Sequence, residues 1–192
     1  MFKQNLIRLS TITLLIGLLI PQAKSDEQAA LWAVLKSGEH LALMRHAIAP
    51  GTGDPDSFEL NDCSTQRNLS QAGRDQAKQI GEKLKANGIE SARIYSSQWC
   101  RCLETAKLLG LGPVQELPTL NSFFRDYQNR SVQTIETKNW ILKQDLSVPT
   151  ILVTHQVNIT ALTNVFPSSG EIILVRRTLN SNLEIIGSIE TN

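Results

Sequence analysis

Arginine and histidine residues stand directly after apolar segments at two places in the sequence. Arg45 and His46 follow the apolar segment 41–44, and His155 follows the apolar segment 150–154. Guanidinium groups donate hydrogen bonds from a fixed fork that suits phosphoryl oxygens. A neutral imidazole can attack phosphorus and hold the phosphoryl group covalently. Together these residue types indicate a phosphate site with a histidine nucleophile.

A third apolar segment, residues 92–96, adds a second arginine to this set. Ser96 and Ser97 stand at its end, and Arg101 follows about one helical turn later. In open α/β sheets, ligands bind beyond the carboxyl ends of the strands. If the three segments are neighbouring strands, two arginines and two histidines converge at one sheet edge. Each of these residues alone also fits a structural role. Arg101, for example, can form an ion pair with Glu104 on the same helix. The functional interpretation therefore depends on their joint placement.

The segments around these apolar runs alternate between helix and strand. A helix is predicted from its N-cap Ser70 to the turn Asn87-Gly88, because four small or apolar residues share one face. Further helices are predicted over 98–109, 131–143 and 159–165, and further strands over 114–117, 172–176 and 183–189. In the helix over 131–143, the residues predicted to face the core are Val132, Ile135 and Leu142.

The order of these elements predicts the fold class. The last two strands form a predicted hairpin across the turn Asn180-Ser181-Asn182. The earlier strands are separated by helices and read as continuous apolar runs, which is typical of a parallel sheet. We therefore predict an α/β fold, namely a three-layer sandwich with a mostly parallel central sheet, helices on both faces and an antiparallel C-terminal edge.

The N-terminus has the organisation of a secretory signal peptide. Two basic residues precede an uncharged, mostly apolar core over 9–20, and Ala23 and Ser25 supply small residues at positions −3 and −1 of a cleavage site. As a helix this core is about 18 Å long, too short for the roughly 30 Å of a bilayer interior. We predict a cleaved signal peptide over 1–25 and a single domain over 26–192. The protein is then periplasmic or secreted, with no stable membrane insertion after cleavage.

Composition and charge exclude several classes of protein. The chain has 192 residues, 19 Lys+Arg and 18 Asp+Glu. Cleavage removes Lys3, Arg8 and Lys24 but no acid, so 16 bases and 18 acids remain in 167 residues, a net charge of −2. That length suits one core, and the balance gives no reason to expect nucleic-acid binding. Collagen, coiled coils and multi-span membrane proteins are excluded; the oligomeric state is left open.

Three cysteines would meet an oxidising compartment after export and allow one internal disulfide. Cys100 and Cys102 are a poor pair, because side chains two residues apart diverge in helices and strands. Cys63 can therefore pair with Cys100 or with Cys102, and one thiol remains. A zinc site built from His40, His155 and a cysteine is a weaker alternative, since no CxxC spacing supports it.

Four motifs follow one another along the chain. They are LALMRHAIA at 41–49, TQRNLSQAGRDQAKQIGEKL at 65–84, IYSSQWCRCLETA at 94–106 and ILVTHQVN at 151–158. In this order they resemble the signature segments of the histidine phosphatase superfamily, in its phosphoglycerate-mutase-like branch. Ala47 and Gln156 stand where glycine is usual. On this resemblance, which covers nearly all of 26–192, the chain is identified as an exported member of that superfamily.

The resemblance implies a role for each residue of the phosphate site. His46 is the implied nucleophile that forms a phosphohistidine, while Arg45, Arg101 and His155 hold the phosphoryl oxygens, with no metal or other cofactor. Flanking arginines disfavour a protonated His46, which keeps the imidazole nucleophilic. The implied activity is that of a metal-independent histidine acid-type phosphatase, which hydrolyses small phosphomonoesters through a phosphohistidine intermediate in the cell envelope.

The general acid of the family is not at its usual place. Members that hydrolyse unactivated esters usually carry a Glu in an LNE segment, where this chain has Ser122. Glu116, Asp126 and Asp62 are candidate replacements, although for each of them an ordinary surface acid is the expectation. If the acid is absent, a phosphohistidine or acyl-phosphate substrate is the alternative, since its leaving group needs little help. A catalytically inactive phosphate-binding protein is the other alternative.

The long loop after His46 is expected to lie over the phosphate. Arg67, within this loop, either contacts substrate or is a solvated loop charge, and the second is the expectation. A disulfide between Cys63 and Cys100 would hold this loop beside Arg101, so this is the pairing we predict. Only about fifty residues separate Arg101 from His155, too few for a large lid, which favours an open pocket.

Overall fold

Six apolar segments form one mixed β-sheet. The computed structural model describes residues 19–191. The strands are β1 (His40–Arg45), β2 (Arg93–Ser96), β3 (Val114–Glu116), β4 (Thr150–Thr154), β5 (Ile172–Arg177) and β6 (Leu183–Ile189). Their order across the sheet is β3-β2-β4-β1-β5-β6. Strands β3, β2, β4 and β1 are parallel, whereas β5 and β6 pair antiparallel. The predicted sheet with its antiparallel C-terminal edge is confirmed.

Helices cover both faces of this sheet. They are α1 (Leu19–Lys36), α2 (Gln71–Ala86), α3 (Cys100–Leu108), α4 (Arg130–Leu142) and α5 (Gln156–Thr163). Short 3₁₀ turns lie at Cys63–Thr65, Pro118–Leu120 and Tyr127–Asn129. Helices α1, α2 and α3 pack on one face and α4 and α5 on the other. The predicted three-layer sandwich is therefore confirmed.

Each face of the sheet has its own apolar core, because side chains alternate along a strand. Met44 of β1 belongs to the cluster that contains Leu84 of α2. Its neighbour Leu43 belongs to the opposite cluster, with Ile141 of α4 and Ile159 of α5. All five side chains are fully buried. The central strands are thus fixed from both sides, which makes their carboxyl ends rigid positions for a site.

The register of the parallel strands brings three strand ends to one edge. Arg45, the last residue of β1, is paired with Thr154, the last residue of β4. Ser96 ends β2 beside the residue that precedes Thr154. His46 and His155, which follow β1 and β4, therefore leave the sheet at the same edge, where the sequence places its chemical groups.

Most predicted helix boundaries agree with the structure, with small shifts. Ser70 caps α2, and its hydroxyl accepts a hydrogen bond from the backbone N–H of Gly73. Helix α3 begins at Cys100 rather than at residue 98. The last helix begins three residues earlier than predicted, directly after His155, because His155 has the extended backbone of an N-cap residue.

Helix α4 buries a different face from the predicted one. Val132 and Ile135 are 61% and 58% exposed rather than inward, and Leu142 is only half-buried. Thr137 and Ile141 are the buried residues of this helix. The Thr137 hydroxyl donates to a backbone carbonyl of the turn after β3, so a polar side chain has a hydrogen-bond partner inside. This contact rotates the apolar residues of the first turns into solvent.

Helix α1 was not expected from the sequence pattern. Its residues Leu31 and Leu35 are buried against the sheet, and the helix continues through the predicted cleavage position after Ser25. Residues 1–18 of the predicted signal peptide lie outside the described residues. Within the described part of the chain, no helix combines the length and the apolar character that a bilayer span requires.

Candidate active site

His46 leaves β1 with its side chain fixed in one tautomer. Its backbone N–H continues the parallel pairing by donating to the carbonyl of Thr154 at 3.0 Å. The ring Nδ1 lies 2.7 Å from the carbonyl of Ala47. A carbonyl only accepts hydrogen bonds, so Nδ1 carries the proton and Nε2 keeps its lone pair. The geometry therefore leaves the free lone pair of the His46 imidazole on Nε2.

The surroundings of His46 keep it neutral. The side chain is buried, and this burial, followed by the nearby charge of Arg101, lowers its pKa from 6.5 to about 3. Desolvation and a like charge both disfavour the protonated form. His46 is therefore an unprotonated imidazole at neutral pH, as expected from its flanking arginines.

Arg101 is held by a carboxylate that the sequence pattern does not reveal. Nη1 and Nη2 of Arg101 donate to the two carboxylate oxygens of Asp54 at 2.7 and 3.2 Å. The side chains of Arg101 and Asp54 are only 3% and 8% exposed. Nη1 also donates to the carbonyl of Arg67 at 3.2 Å. Nη1 and Nη2 of Arg101 thus both donate hydrogen bonds to the loop after β1.

Asp54 is held as an anion by its donors. Besides Arg101, it accepts a hydrogen bond from the backbone N–H of Arg67 at 3.0 Å and one from the indole of Trp99 at 3.1 Å. Burial alone raises the pKa of Asp54, but the contacts with Arg101, Arg67 and Trp99 outweigh it and hold the pKa below its usual value. The group is a fixed carboxylate rather than a proton donor.

His155 is oriented by a chain of hydrogen bonds. The backbone N–H of Gln98 donates to Oδ1 of Asn121, which also accepts from the hydroxyl of Ser97. The proton of the Ser97 hydroxyl is used in the bond to Asn121. Its oxygen therefore accepts a hydrogen bond from Nε2 of His155 at 2.9 Å, and Nε2 carries the proton of this imidazole. Nδ1 then faces Nη2 of Arg101 at 3.3 Å. Burial, and after it the charge of Arg101, lower the pKa of His155 well below its ordinary value, so it is neutral.

Two arginine nitrogens at the site lack a partner. Arg45 donates from Nη1 to the carbonyl of Pro167 at 2.8 Å. Its Nε and the Nε of Arg101 are buried without a hydrogen-bond partner, two of the four such side-chain atoms in residues 19–191. Buried donors are normally paired, so an unpaired one calls for an explanation. An anion is the kind of partner that charged donors of this type bind best.

All four predicted site residues line one cavity. Its volume is about 370 Å³, and its inner end is formed by Arg45, His46, Arg101 and His155. The ring centroids of the two histidines are 5.6 Å apart. The structure thus brings these residues together as the sequence predicts, while their catalytic roles stay predictions.

Arg67 also lines this cavity, and the expectation of a solvated loop charge is wrong. The side chain is half-buried, and its guanidinium donates to the carbonyls of Gly53 and Ala49. These local acceptors fold the arginine inward instead of leaving it in solvent. Arg67 therefore adds a third positive charge beside Arg45 and Arg101.

None of the three candidate general acids lies in the cavity. Asp62 caps the turn at Ser64, and Glu116 accepts a hydrogen bond from Gln98 on the surface. Asp126 is exposed and accepts from its near neighbour Asn129. Among the described residues, Asp54 is the only carboxylate that lines the cavity. Asp54 follows Gly51 and Gly53, which both have positive φ. Loops of this kind have no hydrophobic periodicity, so the sequence pattern could not predict where the Asp54 side chain lies.

The disulfide joins the loop to helix α3 as predicted. Cys63 and Cys100 are bonded, whereas Cys102 is a buried free thiol with its sulfur 3.5 Å from Nε2 of His155. Gln66 accepts from the backbone N–H of Cys100 at 2.9 Å. The loop is therefore attached to α3 directly before Arg101, consistent with the mechanical role expected of the bridge.

The alternative of a zinc site has no support from this geometry. His40 begins β1 and His46 follows its end, so roughly 20 Å of strand separates them. The Nδ1 of His40 lies 3.0 Å from the carbonyl of Gly38. His155 leaves the parallel strand β4 at the end where His46 lies, far from His40. Across residues 19–191, no three His, Cys, Asp or Glu side chains are grouped as metal ligands.

A neutral imidazole between arginines, at the carboxyl ends of parallel strands, makes a site whose charge suits an anionic group. Residues 41–149 match the histidine phosphatase superfamily (branch 1). The chain therefore belongs to the histidine phosphatase superfamily. A comparison with curated proteins finds no match.

Solved structures of this fold resemble the chain at low sequence identity. The protein histidine phosphatase SixA complexed with tungstate is 16% identical, with a TM-score of 0.54 over 79% of this chain and 97% of that one. Phosphoserine phosphatase from Entamoeba histolytica is also 16% identical, with a TM-score of 0.56 over 78% and 95%. Mycobacterial glucosyl-3-phosphoglycerate phosphatase complexed with VO3 is 15% identical, with a TM-score of 0.58 over 77% and 97%. These likenesses establish the fold.

The Asp54→Asn variant tests whether the buried ion pair holds the site together. We expect its free energy of unfolding to fall by about 3 kcal/mol, because Arg101 loses its buried counter-charge. Asp56→Asn is the matched control, since Asp56 is exposed and pairs with Arg125 at the surface; its change should stay within about 0.5 kcal/mol. Urea denaturation measures both, and equal stabilities of the two variants would contradict the assignment.

The buried histidines should make the fold acid-sensitive. In the unfolded chain they bind protons below about pH 6.5, whereas folded His46, with a pKa of about 3, and His155 stay neutral. The free energy of unfolding therefore falls as the pH drops from about 6.5 towards 3, by up to about 1.4 kcal/mol per pH unit for each histidine. Urea denaturation at pH 7, 6, 5 and 4 should give a shallower decline for His46→Asn than for the wild type. A slope unchanged by the substitution would rule out this cause.

Proposed function

We propose that the protein is a metal-independent histidine acid-type phosphatase that hydrolyses small phosphomonoesters through a phosphohistidine at Nε2 of His46. The observation that carries this proposal is that two arginines, Arg45 and Arg101, line one cavity with a neutral His46 whose Nε2 is unprotonated. Phosphoryl oxygens are the acceptors that such charged donors bind best. The match to the histidine phosphatase superfamily supports the same chemistry. The phosphatases among the solved structures that share this fold also support it.

The proposed reaction has two steps. Nε2 of His46 attacks phosphorus, the bond from phosphorus to the leaving oxygen breaks, and the leaving group departs with a proton taken from solvent. Water then attacks the phosphohistidine, the bond between phosphorus and nitrogen breaks, and phosphate leaves with Nε2 again unprotonated. The hydrogen bond from Nδ1 to the carbonyl of Ala47 leaves the lone pair on Nε2 for the attack in the first step and favours the same tautomer when Nε2 is released in the second.

The charges of the site suit the transferring group. Four arginines line the cavity, namely Arg45, Arg67, Arg101 and Arg125. Asp54 offsets one of these charges and Asp56 pairs with Arg125 at the rim, which leaves two positive charges for a phosphate dianion. In phosphoryl transfer, charge spreads over the equatorial oxygens, and donors fixed beforehand stabilise it without reorganisation. Asp54 keeps the guanidinium of Arg101 in one orientation for this purpose.

An acyl-phosphate or phosphohistidine phosphatase is the second candidate. It is favoured by the positions of the carboxylates, since Glu116, Asp126 and Asp62 lie outside the cavity and Asp54 is held as an anion. A poor leaving group such as an alkoxide needs a proton during bond cleavage. A carboxylate or an imidazole leaves more easily, so it makes little demand on a general acid.

Activity should require His46 and no metal. The purified protein is assayed with p-nitrophenyl phosphate and acetyl phosphate in the presence of EDTA, beside His46→Ala. We expect turnover to survive EDTA and to vanish in His46→Ala, because the nucleophile is lost. Rapid quenching at alkaline pH followed by mass spectrometry should find one added phosphoryl group in the wild type. His40→Ala is the matched control, since His40 lies at the other end of β1.

Other outcomes separate the alternatives. Turnover of acetyl phosphate alone would favour the acyl-phosphate candidate over the monoesterase. No turnover of either compound, with phosphate or vanadate still bound, would leave an inactive phosphate-binding protein. Turnover retained in His46→Ala, or abolished by EDTA, would refute the proposed mechanism.

We further propose that the protein is exported to the periplasm or secreted after cleavage behind Ser25. The charge and hydropathy pattern of residues 1–25 supports this, as does the Cys63–Cys100 disulfide, because such bonds persist in oxidising compartments. Expression of the full chain in a bacterial host should give a periplasmic product that begins at Asp26. N-terminal sequencing measures this, and a cytoplasmic product that retains residues 1–25 would refute export.

A further inference from the structure

Apolar side chains line the cavity beside its charged groups, and the most exposed of them mark its mouth. The lining also contains polar residues such as Thr52, Ser122 and Gln156. Its large apolar members are Phe58, Trp99, Phe124, Val157 and Phe166, of which Trp99 reaches inward to His155, with 5.5 Å between the ring centroids. They come from four separate segments of the chain, so their meeting is a product of the fold rather than of one apolar stretch. The rings of Phe58 and Trp99 stack at 4.9 Å.

Two of these aromatic residues are exposed at the mouth of the cavity. Phe124 is 51% and Phe166 is 72% exposed, although large apolar side chains are usually buried. Phe166 directly precedes Pro167, whose carbonyl accepts from Arg45. Phe124 lies across from Gly53, the neighbour of Asp54. Both rings are therefore attached to segments that also position the phosphate-binding groups.

The described lining of the cavity offers a cation no carboxylate whose oxygens are free. Asp54 is the only carboxylate among the described lining residues, and its oxygens are taken by Arg101, Arg67 and Trp99. Arg125 adds a further positive charge at the rim, where it pairs with Asp56 at 2.9 Å. A substrate with an ammonium group would therefore meet repulsion here, whereas an uncharged apolar group meets aromatic surface.

We infer that the outer part of this cavity binds an apolar group, alkyl or aryl, attached to the phosphate of the substrate. This inference rests on the proposed function for the phosphate end and adds the chemical class of the rest of the substrate. The phosphate anchors at Arg45 and Arg101, and the apolar group lies against Phe124, Phe166 and the stacked rings of Phe58 and Trp99. Removal of its methylene groups from water then adds to the binding free energy.

Linear alkylphosphonates test this without any catalytic step, because their carbon–phosphorus bond is not hydrolysed by this chemistry. Calorimetry on the purified protein measures Kd for methyl-, ethyl-, butyl- and hexylphosphonate, with 2-aminoethylphosphonate as the cationic comparator. We expect Kd to fall about twofold to fourfold for each added methylene. We also expect the aminoethyl compound to bind more weakly than the ethyl compound. Benzylphosphonate beside the hexyl compound distinguishes aryl from alkyl preference.

Variants locate the apolar contact. In Phe124→Ala and Phe166→Ala, the ratio of Kd for methylphosphonate to Kd for hexylphosphonate should fall about threefold or more, because part of the apolar wall is lost. Ile135→Ala is the matched control, since Ile135 is 58% exposed and lies outside this cavity; its ratio should equal that of the wild type. The ratio cancels any change common to both ligands, and thermal unfolding verifies that each variant is folded.

The outcomes distinguish the inference from the proposed function. A Kd that is independent of chain length, or an aminoethyl compound that binds as well as the ethyl compound, overturns the apolar assignment even if the protein hydrolyses phosphate esters. A clear chain-length dependence in a protein without turnover supports the apolar assignment and refutes the enzymatic proposal alone. A chain-length dependence that persists unchanged in both phenylalanine variants also overturns the assignment.

Discussion

The buried ion pair between Arg101 and Asp54 connects the segments that form the candidate active site. Arg101 lies on α3, whereas Asp54 lies on the loop after β1, and the same carboxylate accepts from the backbone of Arg67 and the indole of Trp99. A buried ion pair is costly unless further hydrogen bonds satisfy its lone pairs. Here those bonds are present, and each of them fixes a residue that lines the cavity. The loop and the helix are therefore positioned by one carboxylate.

The histidines and the loop residues of the site are positioned by different parts of the fold. His46 and His155 leave central strands whose neighbours are buried on both faces, so their positions follow from the register of β1 and β4. Arg67 and Asp54 belong to a loop whose position depends on the disulfide and on contacts with α3. The positions of the two histidines thus come from the sheet, whereas the loop supplies Arg67 and Asp54, two of the charges around them.

The sequence predicts the sheet and the four residues at its edge because strand ends are marked by local patterns. Apolar runs of four or five residues identify the strands, and parallel topology then brings Arg45, His46 and His155 together. Asp54 could not be found this way, because its role depends on an arginine 47 residues away. The orientation of α4 was missed for a related reason, since a hydrogen bond of Thr137 to a distant turn outweighs the local apolar pattern.

Cleavage after Ser25 would shorten helix α1 and change its N-terminal end. Cleavage there would remove Lys24 and with it the ion pair to Glu190 at the surface. It would also create a new helix terminus whose first residues are Asp26 and Glu27. Carboxylates in the first turn interact favourably with the positive end of a helix dipole. The shortened helix would thus gain an acidic start, while Leu31, further along, remains packed against the sheet.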